Sequence, residues 1–312
     1  MKKLMLFLFA IATINSYSQI KIASPSSKKE HKVQYDSLHN YIGGNILAYI
    51  GQQLYIKPKN ESLQKYGYEG FYSQPLNDRK YIYKRTSEYS YFSDYTQLAG
   101  KTFTCIGISK RQFDLGMVPP KTYGVDGLDD NYYYFLKLAN ADDTIYYEYT
   151  KYEHDFPFIT LGYLDKLKKQ YSGKLFILKK QPDNILHDFD NGNEVNLVPG
   201  SIWSFKDVVL DNKYYNITLL FTNKNEETIP VEDYRFRFTF IEKSSADKIK
   251  QKYGNNLYNL AINGTIKIGM TKELVKLAWG EPSRINLSSY GEQWVYNNQY
   301  IYFKNGKVTD FN

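Results

Sequence analysis

Apolar and polar positions alternate through most of this chain, and the alternation predicts short strands far more often than helices. Four times a glycine is followed at the third and fifth positions by large apolar or aromatic residues: Gly51-Gln-Gln-Leu-Tyr-Ile, Gly100-Lys-Thr-Phe-Thr-Cys, Gly173-Lys-Leu-Phe-Ile-Leu and Gly200-Ser-Ile-Trp-Ser-Phe. Each reads as a strand entered from a glycine turn. Arg235-Phe-Arg-Phe-Thr-Phe240 is expected to be a further strand, with Phe236, Phe238 and Phe240 inward and the arginines outward. Helical spacing is rare. It occurs at Tyr163, Leu164, Leu167 and Tyr171, from Ser245 as N-cap to Gly254 as stop, and from Thr271 as N-cap through Leu274, Val275 and Ala278 to Gly280 and Pro282.

The strand signals recur in order. Asn131-Tyr-Tyr-Tyr-Phe-Leu-Lys-Leu-Ala-Asn140 with Asp142-Asp-Thr-Ile145 parallels Lys213-Tyr-Tyr-Asn-Ile-Thr-Leu-Leu-Phe-Thr-Asn223 with Glu226-Glu-Thr-Ile229. Tyr49-Ile-Gly51 parallels Tyr171-Ser-Gly173. This reads as a tandem duplication of one β-rich unit. Short strands with turns this frequent must curl or close to bury one face. The expected class is therefore α+β, mainly β: a first β-rich unit over 19–160, a second over 161–243, each a small barrel or curled sheet, and a C-terminal α+β module over 244–312.

In that last module the helix is followed by Gln293-Trp-Val-Tyr296 and Gln299-Tyr-Ile-Tyr-Phe303, joined through Asn297-Asn298, while Asn305-Gly306 starts a final strand. These turn residues accept the left-handed backbone of tight hairpins. A helix across a three-stranded antiparallel meander is predicted. The run Gly269, Met270, Thr271, Val275, Gly280, Pro282, then Trp294, Tyr296, Phe303, Gly306, Lys307 and Val308, resembles the SmpA/OmlA (BamE-like) family of bacterial envelope proteins. The resemblance implies two helices followed by a three-stranded sheet, and its best-known members are lipoproteins that aid outer-membrane protein assembly. The resemblance is confined to the C-terminal module, and the rest of the chain has no part in it. Similar helix-plus-sheet modules occur in secreted inhibitors that clamp hydrolases, so binding is the role they share.

The first residues place the protein outside the cytoplasm. Met1-Lys-Lys, the apolar block Leu4 to Ile14 and the small residues Ser16 and Ser18 read as a signal peptide over 1–18, with Gln19 first in the mature chain. The block is too short to span a bilayer, which takes about twenty apolar residues. No cysteine follows it, which argues against a lipoprotein; the sole cysteine, Cys105, lies in an apolar strand and reads as a small core residue. Without Lys2 and Lys3 the net charge of +7 falls to about +5, with basic residues scattered among acidic ones. That balance gives little support to an anionic partner, and for an exported chain no nucleic-acid partner is expected. The cluster Lys166, Lys168, Lys169, Lys174, Lys179 and Lys180 is expected on a solvated face. Thirty-two tyrosines are in excess; they suit strands and half-wet surfaces, and a minority of them are candidates for a sugar-stacking or protein-binding platform.

Candidate chemistry is sparse. His154 and Asp155 are adjacent, and in a strand they would point to opposite faces, unable to act as a base and its orienter. In His187-Asp-Phe-Asp-Asn-Gly-Asn-Glu194, the carboxylates Asp188, Asp190 and Glu194 offer hard oxygen ligands for Ca2+, against the alternative of a hairpin turn at Asn191-Gly192. No cofactor and no catalytic residue is assigned. The expected function is that of an exported, non-enzymatic protein, periplasmic or extracellular and at most peripherally attached to membrane, that binds an envelope protein partner through Trp294, Tyr296, Tyr300 and Tyr302. Glycan or peptidoglycan binding is the alternative, and an envelope hydrolase is the third.

Overall fold

Strands form where the glycine-led segments place them, and they fall into two sheets of matching design. The computed structural model describes residues 34–114, 118–181, 185–210, 216–289 and 291–312. The expected signal segment over 1–18 and the residues Lys213, Tyr214 and Tyr215 lie outside the described residues. The first sheet is built from β1 (Gln53–Ile56), β2 (Phe71–Tyr72), β3 (Thr102–Gln112), β4 (Tyr132–Ala139), β5 (Thr144–Glu148) and β6 (Phe158–Thr160), with short helices α1 (Glu61–Gln64) and α2 (Tyr95–Leu98) between them. Its order is β2-β5-β4-β3-β1-β6, curled into a half-barrel. Helix α3 (Leu161–Tyr171) leads into β7 (Leu175–Leu178), the separate hairpin β8 (Ile185–His187) and β9 (Glu194–Asn196), then β10 (Ile202–Leu210), β11 (Ile217–Asn223), β12 (Thr228–Glu232), α4 (Phe236–Thr239) and β13 (Phe240–Glu242). The second sheet runs β12-β11-β10-β7-β13.

With β2 set aside, the two sheets have the same strand order, and their registers correspond residue by residue. Leu54 lies opposite Phe103 as Phe176 lies opposite Trp203, and Ile56 opposite Phe158 as Leu178 opposite Phe240. A bulge interrupts the ladder between Cys105 and Gly107 in one and between Phe205 and Asp207 in the other, kinking both long strands at the same point. Gly100 and Gly200 take φ of +74° and +86°, a region that favours glycine, and donate to Ile56 O (3.0 Å) and Leu178 O (2.8 Å). The turns match too: Asn140 Oδ1 accepts from the N–H groups of Asp142 and Asp143, and Asn223 Oδ1 from those of Asn225 and Glu227.

The inner faces of both sheets feed one continuous apolar cluster, to which α3 adds Tyr163, Leu164 and Leu167. The boundary expected at residue 160 thus coincides with the β6–α3 junction, while the cores on either side of it are joined. Of segment 235–240 only Phe240, the first residue of β13, is in a strand. The rest belongs to a 3-10 turn (Asp233–Arg235) and α4, because β12 and β13 occupy opposite edges of the sheet and the connection must cross between them. Phe236 stacks on Phe221 at 5.7 Å and Phe240 meets it at 4.3 Å, whereas Phe238 is exposed.

Helix α5 (Lys243–Ile262) starts two residues before the expected Ser245; at the expected stop, Gly254, φ of 80° and ψ of 165° interrupt the helical path, and a second helical segment continues beyond the kink to Ile262. Helix α6 (Lys272–Trp279) has the predicted bounds. The meander has four strands instead of three, in the order β14 (Arg284–Ser288), β15 (Gly291–Tyr296), β16 (Gln299–Lys304), β17 (Lys307–Phe311). The alternation that marks β14 is only Ile285 and Leu287, too short to separate it from a loop following Pro282. Phe221→Ala should lower stability by about 3–5 kcal/mol in urea unfolding, and Phe238→Ala by under about 1 kcal/mol; equal losses would contradict this packing of the crossover.

Candidate functional site

The C-terminal sheet has two unlike faces, and alternation along β15 and β16 sets which aromatics lie on each. Trp294, Ile301, Phe303 and Val308 face the helices, packing with Met270, Leu274 and Val275 around α6 and with Tyr258 and Ile262 of α5. Thr271 precedes α6 but makes no side-chain cap; its buried Oγ1 has no partner. Glu273, in the first turn, instead accepts from Lys252 Nζ and Tyr253 OH at 2.6 Å each, where a carboxylate is favoured by the helix dipole.

Two of the four predicted binding aromatics belong to the helix face. Trp294 is 2% exposed and is a core residue, because its position opposite Ile285 and Ile301 turns it under α6. Tyr296 is half-buried; its hydroxyl donates to Gly280 O at 2.9 Å and its ring meets Trp279 edge-on at 5.4 Å. Burial pushes that hydroxyl's pKa well up, so it remains a donor.

Tyr300 and Tyr302 point the other way. On that outer face Asn286, Gln293, Tyr302 and Asp310 lie opposite one another across all four strands. Asn286 Nδ2 donates to Gln293 Oε1 (2.7 Å), and Gln293 Nε2 to Tyr302 OH (3.0 Å). Beside this polar row runs a second, Arg284, Val295 and Tyr300, in which Val295 is a buried apolar floor. Tyr302 is 37% exposed and Tyr300 half-buried. Tyr302 is held through its hydroxyl by Gln293, and both side chains reach solvent, an arrangement suited to contact with another macromolecule.

The acidic loop is not assembled as a metal site. Asp188 is buried, its Oδ1 accepting from the N–H groups of Asp190 and Asn191 (2.9 and 3.0 Å) and its Oδ2 from that of Thr228 (2.7 Å). Asp190 pairs with Lys206 at 2.6 Å, which holds its carboxyl below the usual range, and Glu194 is exposed on β9. The turn at Asn191-Gly192 closes through Gly192 N–H to Asp188 O (2.8 Å). Among the described residues no group of three or more His, Cys, Asp and Glu is placed to hold a metal ion. His154 and Asp155 lie in a 3-10 turn rather than a strand, which brings His154 Nε2 within 3.3 Å of Asp155 Oδ1, both exposed. Cys105 is buried, and burial pushes its thiol up to about 11.

Two buried charges escaped the sequence reading. Glu148 lies beneath the outer side of the first sheet, with Asn77 Nδ2 donating to Oε1 (3.2 Å), Tyr72 OH to Oε2 (3.4 Å), and Lys121 Nζ 3.9 Å away. Burial raises its pKa, against Lys121 and these hydrogen bonds. Inward-facing Ile145 and Tyr147 imply a wet position for Glu148, and only the segment 69–82 folding over that side buries it. Lys179, expected on a solvated face, is also buried: its Nζ donates to Arg237 O at 2.6 Å, and burial lowers its pKa to about 8.

No protein-family model, no curated protein and no solved structure matches this chain.

The two buried charges have opposite linkage to pH. The unfolded chain holds the Lys179 proton up to its ordinary 10.5 and the native state only to about 8, so the stability penalty is complete below the native value and disappears as pH rises between the two. Lys179→Met should remove that rise, seen as thermal midpoints measured from neutral to alkaline pH. Glu148 has a raised native pKa; its stabilising contribution is complete below the ordinary carboxyl value and is lost as pH rises through the native one. Glu148→Gln should remove that fall in the same measurement between acidic and neutral pH.

Proposed function

We propose that this is an exported, non-enzymatic protein of the cell envelope that acts through protein–protein contact, with the outer face of the C-terminal sheet as its binding surface. In this reading the chain is periplasmic or extracellular, and its two matching sheets are copies of one duplicated unit serving as a platform. The observation that carries it is the hydrogen-bonded row from Asn286 through Gln293 to Tyr302, flanked by Tyr300 and floored by Val295. Tyrosines held in place beforehand lose little freedom on binding, which is why such residues recur at interface centres. The resemblance of Gly269 to Val308 to SmpA/OmlA proteins supports the same assignment.

A second reading has its own observation. On the first sheet's side of the chain, Tyr89 and Tyr91 are exposed, with the Arg79 guanidinium 5.5 and 5.4 Å from their ring centres. Arg79 and Arg85 both donate to Glu88 O (3.0 and 2.8 Å), which fixes the loop that displays the rings. Exposed, fixed aromatic rings suit stacking on sugar, and so favour a glycan ligand.

The mature chain used as bait on solubilised envelopes should recover a defined protein. Recovery should fall about tenfold for Tyr302→Ala and for Tyr300→Ala, with unchanged thermal midpoints. Recovery indifferent to both substitutions would overturn the outer-face assignment. Retention on polysaccharide that is lost with Tyr89→Ala would favour the glycan reading instead.

A further inference from the structure

An open sheet edge is a row of unpaired N–H and C=O groups, a template for another strand, and this protein closes most of its own. Asn40 caps β6, its Nδ2 donating to Phe158 O and its Oδ1 accepting from Thr160 N–H, both at 2.8 Å. The β2 edge is met by Tyr83 N–H donating to Phe71 O at 2.9 Å. At β12, Pro230 removes a donor and Asp188 takes the Thr228 N–H. In the C-terminal sheet β17 is sealed by Gly269 and Met270, through Gly269 N–H to Val308 O and Val308 N–H to Met270 O, each 2.8 Å. The opposite edge of that sheet differs. Among the described residues no strand pairs with the outer side of β14, which is five residues long, against three for β13, β8 and β9.

This edge also exposes apolar side chains. Ile285 and Leu287 share the helix face with Trp294 and Glu292, yet they are 47% and 77% exposed, since β14 lies beyond the cover of the helices. A polar edge would be protected by its own charges; here Arg284 is the single charged residue of the strand.

We infer that the occupant of this edge is a second copy of this chain, joined through β14 in a two-fold antiparallel pair centred on Asn286. The sequence Arg-Ile-Asn-Leu-Ser is self-complementary about that residue. Ile285 faces Leu287 of the second copy, Leu287 faces its Ile285, Arg284 faces its Ser288, and Asn286 faces its own counterpart. No like charges are opposed, and both apolar pairs fall on one face. The two-fold axis stands perpendicular to the joined sheet, so both helix layers lie on the same side and the four apolar side chains line the trough between them. The product is a continuous eight-stranded sheet. Its added contact is short, below the roughly 1,000 Å2 of a stable interface, so the dimer is reversible and micromolar or weaker. This edge adjoins the outer face proposed above at Asn286, but it is formed by the β14 main chain with Ile285 and Leu287 on the opposite face, and the inference does not rest on that reading.

Sedimentation of the mature chain from micromolar to millimolar concentration should show a monomer–dimer equilibrium, weakened at least tenfold by Leu287→Lys, a change at a solvent-exposed position that leaves folding intact. Asn286→Cys should form a disulfide-linked dimer on mild oxidation, because directly opposed residues lie about 5 Å apart between Cα atoms. Arg284→Cys should not, its counterparts being roughly 14 Å apart. The buried Cys105 leaves the introduced thiol as the reactive one. A chain that remains monomeric at millimolar concentration overturns the inference, as does a dimer indifferent to Leu287→Lys or cross-linked equally through Arg284→Cys. Envelope capture by the Leu287→Lys chain reads the outer face separately, so that a monomeric chain that still captures its partner removes the dimer and leaves the outer-face reading standing.

Discussion

Tyrosine hydroxyls donating to main-chain carbonyls hold the connecting segments around the first sheet onto the core, and that part of the architecture depends on them. Tyr41 OH reaches Thr150 O (2.8 Å), Tyr49 OH Asn40 O (3.0 Å), Tyr68 OH Lys57 O (2.6 Å), Tyr147 OH Asp155 O (3.0 Å) and Tyr149 OH Gly43 O (2.9 Å). Each ring fills core volume while its hydroxyl satisfies an irregular carbonyl that burial would otherwise leave unpaired, at a penalty of about 1–3 kcal/mol. Burial raises the pKa of Tyr49, Tyr147 and Tyr149, so these groups stay protonated and stay donors. A phenylalanine core of the same volume would pack, but would leave the loops without anchors.

That device is needed because of topology. β5 and β6 lie at or near opposite sides of the first sheet, as β12 and β13 lie at opposite edges of the second, so at each sheet the chain must cross from one side to the other. The first crossing brings in Phe156 and Phe158, which pack with Tyr49, Tyr147 and Tyr149. The second brings in Phe236 and Phe240 over Phe221. After each closing strand the chain enters a helix directly, α3 after β6 and α5 after β13. Helix α3 is thereby committed to the joined core, whereas α5 packs with the C-terminal module and with Ile177 of β7. The same supersecondary step thus links one sheet to the next in one case and to the C-terminal module in the other.

Much of the C-terminal module was legible. The bounds of α6, two of the three hairpin turns and the split of the aromatics between two faces follow from cap residues, the turn chemistry of Asn-Asn and Asn-Gly, and the two-residue period. Asn297 and Asn305 do take positive φ, at 50° and 53°. The period alone cannot say which face meets the helices. Trp294 and Tyr302 both satisfy the strand pattern, and only the placement of α5 and α6 makes one core and the other surface. His154 and the run 235–240 misled for a related reason: a local alternation reads as a strand, but tertiary crossing demands turned the chain there. Glu148 and Lys179 gave no warning, since burial by residues distant in sequence leaves no local mark.

By itself the sequence determined where strands begin and which turns join them, because glycine φ preferences, Asx turns and alternation are short-range properties of the chain. It also determined that the order of those strands recurs. The tertiary structure alone decided that the two units share a single core, that three carboxylates in one loop act separately, and that no strand among the described residues pairs with the outer side of β14. Those outcomes depend on which segments meet across the fold, and burial, pairing and desolvation act between residues that the chain's local pattern does not connect.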